Sequence, residues 1–146
     1  MKTYPLYLNG EWFTSDSSIP VENPATGKAE AAISSIGRAR AAQAISDAHE
    51  ALPVWRGMTA TERADCLMRI AAVLETRADE IAGTITMENG KPIAQSKGEV
   101  GMSVDHLRWF AGEARRAYGR LIPQQIAHKR NMVVKTPVGV VGAISP

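Results

Sequence analysis

The end of this chain constrains its fold more than any other stretch. Val138-Gly139-Val140-Val141-Gly142-Ala143-Ile144 is apolar throughout and shows no alternation of polar and apolar side chains. A strand with one face in water alternates, whereas one buried on both faces does not. The run therefore predicts a parallel strand covered on both sides. Parallel pairing needs a crossover and a second parallel strand, and neither follows before Pro146. The expectation is an α/β chain whose sheet continues past these residues, so that the sequence is the front of a longer protein.

Upstream lie short strands and then helices. Tyr4 to Phe13 alternates around Asn9-Gly10, a dipeptide suited to a type I′ hairpin turn. Ile19 and Val21 lead to the turn cluster Asn23-Pro24-Ala25-Thr26-Gly27, and Ala31 to Ile36 is expected as a further strand. A first helix is expected from Arg38 to Leu52, ended by Pro53. Thr59-Ala60-Thr61-Glu62 is a capping-box pattern opening a second helical region, with a break expected near residues 76–79 and a stop at Asn89-Gly90. A third helix opens at Lys91-Pro92. Its apolar stripe is read as Ile93, Lys97, Val100, Val104, Leu107, Ala111, Ala114 and Tyr118, with Lys97 the polar member. Gly119 to Ile126 and Asn131 to Lys135 read as two strands around a polar connection.

Composition narrows the class. The 146 residues are 45% hydrophobic and 22% charged, values of a globular domain. Aromatics supply only 5%, so the core must come from Ala, Ile, Leu, Val and Met. Seventeen Lys and Arg against 15 Asp and Glu argue against a dedicated nucleic-acid binder. Arg115-Arg116 and His128-Lys129-Arg130 read as solvated basic clusters. The N-terminus lacks the apolar core of a signal peptide, and no apolar run approaches the ~20 residues of a membrane span. A soluble, cytoplasmic chain is expected.

The chemistry-bearing side chains are sparse. Cys66, the single thiol, excludes an intrachain disulfide and sits mid-helix on the flank of an apolar stripe, where a small packed side chain is the expected role. His49, His106 and His128 form no metal-ligand spacing, so no metal site is expected. The glycines near Val138 do not spell G-x-G-x-x-G. Ile144, Ser145 and Pro146 nonetheless stand at the C-terminal end of the expected parallel strand, where open α/β sheets bind ligands. Met102 falls about 160–200° from Val100 and Val104 at ~100° per residue, so its side chain must meet water, a partner or a ligand.

Four segments in order carry a family resemblance: Leu8-Asn9-Gly10-Glu11-Trp12, Asn23-Pro24-Ala25-Thr26-Gly27, Glu88-Asn89-Gly90-Lys91-Pro92, and Pro137 through Pro146. Together they resemble the N-terminal part of an NAD(P)-dependent aldehyde dehydrogenase. Ala51 to Arg56 with Glu62-Arg63-Ala64, and Lys129-Arg130 to Val140, are most similar to the succinate-semialdehyde dehydrogenase branch.

The resemblance implies a division of the chain. Residues 1–118 would be the N-terminal part of a cofactor-binding domain, 119–136 a projecting arm for homo-oligomerisation as dimer or tetramer, and 137–146 the first strand of a Rossmann-like sheet. It implies NAD or NADP as cofactor, passing beside Ile144, Ser145 and Pro146, and an aldehyde substrate, succinate semialdehyde among the candidates, whose tunnel Met102 lines. It places the nucleophilic Cys, the general-base Glu and the oxyanion Asn beyond residue 146, so no catalytic residue is expected here and the segment alone should be inactive. A CoA-acylating semialdehyde dehydrogenase is the nearer alternative, and a stand-alone helical interaction module the more distant one.

Overall fold

The computed structural model describes residues 1–144. Strand β1 (Lys2–Tyr4) precedes a hairpin of β2 (Leu6–Leu8) and β3 (Glu11–Phe13). Asn9 and Gly10 take φ of 49° and 85°. Two successive positive φ values are what a type I′ turn requires, and they give the twist that lets the flanking strands pair. Leu6 stands opposite Phe13 and Leu8 opposite Glu11. The rings of Tyr7 and Trp12, also opposite one another, lie 5.1 Å apart.

Strands β4 (Ser18–Asn23) and β5 (Lys28–Ser34) are antiparallel, and β1 joins β5 in parallel, giving the order β1-β5-β4. The turn between them is set by Asn23. Its carbonyl accepts from the Gly27 N–H at 2.8 Å and its side-chain Oδ1 from the Ala25 N–H at 2.9 Å. Strand β5 starts three residues before the expected strand and stops at Ser34, because pairing with β4 begins as soon as the turn closes at Lys28.

Four helices follow: α1 (Arg38–Gly57), α2 (Ala60–Thr76), α3 (Ala78–Asn89) and α4 (Ile93–Ala114). The first corrects the expectation that Pro53 ends it, since α1 carries Pro53 inside. Proline removes the bond to the His49 carbonyl, but His49 is exposed and water can satisfy that oxygen. The start of α2 is as expected. The Thr59 hydroxyl accepts from the Glu62 N–H at 3.2 Å, and the Glu62 carboxylate accepts from the Thr59 N–H at 2.7 Å. Arg77, outside helical geometry, makes the break between α2 and α3. Gly90 ends α3 in the left-handed region.

The core is built of small residues. Ala31 and Ala32 of β5, Ala64 and Ala71 of α2, Ala82 of α3, and Val100, Val104 and Ala111 of α4 are buried. Alanine lets backbones approach closely, and α4 packs on both α2 and α3. Lys97 does not belong to this stripe. It lies more than half exposed and pairs with Asp79 of α3 at 2.8 Å. Ser96 takes the buried place, its Oγ 2.9 Å from Thr86 Oγ1 of α3. Helix α4 also ends before Tyr118, which is exposed. Arg108–Glu75 at 2.6 Å and Arg115–Asp65 at 2.9 Å span α4 and α2. Exposed pairs of this kind contribute about 0–1 kcal/mol each.

Strands β6 (Arg120–Ile122) and β7 (Asn131–Val133) pair antiparallel as a two-stranded arm. They are shorter than the sequence suggests. Residues 137–144 pair with no strand among the described residues, and Val138 is 92% exposed. A strand exists only where a neighbour supplies donors and acceptors, and no strand of the described residues lies beside this run. No helix among the described residues is long and apolar enough to cross a membrane.

Candidate functional site

Helix α4 has two apolar faces. The inner one carries Ser96, Val100, Val104 and Ala111. At ~100° per residue, Met102 and Trp109 fall on the opposite side, seven residues and two turns apart. They are 57% and 64% exposed. Gly98 and Gly101 lie beside Met102 on the same outer half, and a Cβ at either would meet open space. The result is a shallow apolar strip with a recess of backbone at one end. Met102 is therefore off the packed stripe, as its spacing predicts. Trp109 was legible by the same rule, since it sits at i+7 from Met102, but sequence reasoning passed it over.

The charges around this strip are largely spoken for. Lys97 holds the Asp79 carboxyl below the usual carboxylate range by its hydrogen bond and its charge. Lys91 pairs with Glu99 at 2.6 Å and Arg116 with Glu113 at 2.5 Å. Asp105 and His106 are exposed beside the strip.

The other expected site residues lie elsewhere. Ile144 is fully exposed, so no described side chain packs on it, Met102 included. Ser145 and Pro146 fall outside the described residues. Ile144 presents an apolar surface with no side-chain donor or acceptor. A dinucleotide needs donors for its pyrophosphate, and the Ile144 side chain supplies none.

Cys66 is half-buried, and the Arg69 guanidinium donates to its sulfur at 2.9 Å. It lies in an open groove of about 500 Å³ with Ile70, Val73, Leu74 and Ile81 and with Arg69 and Arg77, none of which can act as a base on the thiol. Among the described residues no three of His, Cys, Asp or Glu are grouped to hold a metal ion.

Comparison with known proteins interprets this arrangement. Residues 12–146 match the model of the aldehyde dehydrogenase family. The chain is 42% identical over 142 residues to the glutarate-semialdehyde dehydrogenase of Pseudomonas putida strain KT2440, covering 96% of this chain and 30% of that one. It is 40% identical to the NADP-dependent succinate-semialdehyde dehydrogenase GabD of Escherichia coli K12, covering 95% and 29%. The succinate-semialdehyde dehydrogenase of Burkholderia pseudomallei superposes with a TM-score of 0.88 at 38% identity, over 93% of this chain and 29% of that one. An α/β chain of this architecture, matched in sequence along nearly all of its length, is a member of the aldehyde dehydrogenase family. It spans about 30% of the length of the curated relatives it matches.

Proposed function

We propose that this chain is the N-terminal part of an oxidoreductase that oxidises an aldehyde with a distal anionic group, such as succinate or glutarate semialdehyde, to the carboxylic acid, with NAD or NADP as oxidant. The observation that carries this reading is the match over 96% of the chain to a glutarate-semialdehyde dehydrogenase. Similar relatives named for 3-sulfolactaldehyde and succinate semialdehyde support the anionic group, because each of these aldehydes bears a carboxylate or a sulfonate.

In this reading residues 1–118 and 137–146 belong to the cofactor domain, and residues 119–136 form the arm that joins subunits. Met102 lines the path of the aldehyde, where its flexible thioether can fit substrates of different shape. Ile144, Ser145 and Pro146 run beside the cofactor. A thiolate to attack the carbonyl carbon, donors for the oxyanion and a base to activate water come from outside these residues.

The test is steady-state kinetics of the full-length protein with succinate semialdehyde, glutarate semialdehyde and neutral aldehydes of matched length. The expected result is NAD(P)H formation with the highest kcat/KM for the anionic aldehydes. Met102→Trp should lower kcat/KM about tenfold or more by narrowing the path, with NAD(P) affinity unchanged. No turnover of any aldehyde would overturn the reading. Wild-type kinetics in Met102→Trp would remove Met102 from the path.

A further inference from the structure

The sequence carries two Asn-Gly pairs, Asn9-Gly10 and Asn89-Gly90, and the fold holds them in opposite ways. Asparagine before glycine is open to an attack within the chain, in which the glycine nitrogen reaches the carbonyl carbon of the asparagine side chain. Glycine favours the attack because no side chain shields its nitrogen and its backbone turns freely. Two further conditions must be met. The glycine N–H must be free of a carbonyl, and the asparagine backbone must be able to rotate.

Asn89 meets neither condition. It is the last residue of α3, and the Gly90 N–H donates to the Thr86 carbonyl at 2.9 Å. Gly90 is also crowded by the Pro24 ring. Asn9 meets both. It stands at the tip of the β2–β3 hairpin, and Asn9 and Gly10 are both exposed. Among the described residues no backbone carbonyl accepts from the Gly10 N–H, and a Cβ at Gly10 would meet nothing. The two strands are three residues each and form a sheet of their own, joined to no third strand. A hairpin of two strands is marginal, so its tip opens at little cost. The other two asparagines are closed to the attack. Asn23 precedes Pro24, which has no N–H. Asn131 is paired with Ile122 in the β6–β7 ladder, and the side chain of Met132 crowds the nitrogen that follows it.

We infer that Asn9 is a site of spontaneous conversion to aspartate and isoaspartate, and that the helix end protects the same dipeptide at Asn89. The Gly10 nitrogen bonds to Asn9 Cγ, the bond from Cγ to the side-chain nitrogen breaks, and ammonia leaves with the proton that the Gly10 nitrogen gives up. The product is a five-membered cyclic imide, which water then opens. Cleavage of the new nitrogen–Cγ bond leaves aspartate on an unaltered backbone. Cleavage of the original peptide bond leaves isoaspartate, with one extra carbon in the main chain. Nothing is oxidised or reduced, and water is the co-reactant. Either product adds a carboxylate to the groove of about 390 Å³ that Asn9 lines with Glu11, Arg40, Gln43 and Asp47. Isoaspartate does more, because an extra chain atom does not fit the two-residue turn that sets Leu8 opposite Glu11.

The experiment incubates the full-length protein in mildly alkaline buffer, both folded and in urea. Peptide mass spectrometry follows each asparagine as a gain of one mass unit, and electron-transfer fragmentation separates aspartate from isoaspartate. In the folded protein Asn9 should convert about tenfold faster than Asn89 or more, because the Gly90 hydrogen bond must open first. In urea the two should convert at similar rates, since the dipeptides are then alike. Equal rates in the folded protein, or a faster rate at Asn89, would overturn the inference. So would an Asn9 that stays intact in the folded protein while it converts in urea, since the hairpin turn would then be what protects it. A tenfold difference that persists in urea would assign it to flanking sequence and overturn the role of the helix end.

Discussion

Gly90 shows how much one residue can hold. It ends α3 with φ of 79°, a conformation that L side chains rarely adopt. A Cβ there would also stand 2.8 Å from Pro24 Cγ, in the turn between β4 and β5. The same glycine thus stops a helix and lets the sheet's turn come close to the helix end. Gly90→Ala should cost about 1–3 kcal/mol, from backbone strain and from the shift the proline ring must make. Thermal unfolding of the full-length protein checks this, and an unchanged Tm would contradict the close approach. The Asn89-Gly90 pair was legible in the sequence as a helix stop, but its contact with Pro24 was not, because the two lie 66 residues apart. Ser96 and Lys97 failed for a related reason. Periodicity places a position on a face to within one residue, and the Thr86 hydroxyl, contributed by another helix, decides which of two neighbours is buried. Met102 was legible because being off a stripe needs no knowledge of the partner helix.

At the scale of elements, local chemistry predicts starts and stops well and lengths less well. The capping box of α2 is complete in the structure. Glu62 accepts from the Thr59 backbone N–H and hydroxyl, which holds its carboxyl below the usual carboxylate range. A depressed folded pKa contributes stability that is present above the ordinary carboxylate value and lost as pH falls through the lowered one. The stability difference between wild type and Glu62→Gln should therefore shrink as the solution is acidified below the ordinary carboxylate range. A difference independent of pH in denaturant titrations would contradict that. Thr59→Ala should cost about 1 kcal/mol at neutral pH. Helix α1 misled the reading because the rule against proline concerns an unsatisfied carbonyl, and an exposed carbonyl finds water. The run 138–144 has the composition of a strand, and no strand among the described residues pairs with it.

At the scale of the molecule, the order of elements and the membership of a family were both legible, because each turn and cap carries a local signature that survives in sequence. The strip of Met102 and Trp109 on α4 was legible in part, because spacing alone puts both off the packed stripe. The exposed faces of α4, the arm and the terminal run all point outward from a small alanine core. They fit the proposal that this chain is one part of a larger oxidoreductase. The most direct test is NAD(P)H formation by purified residues 1–146, in a preparation whose circular dichroism shows the helices, with semialdehydes and either NAD or NADP. The predicted result is no saturable turnover, while the full-length protein under the same conditions is active. Saturable turnover by residues 1–146 alone would place a thiolate, an oxyanion donor or a base within them and contradict the account.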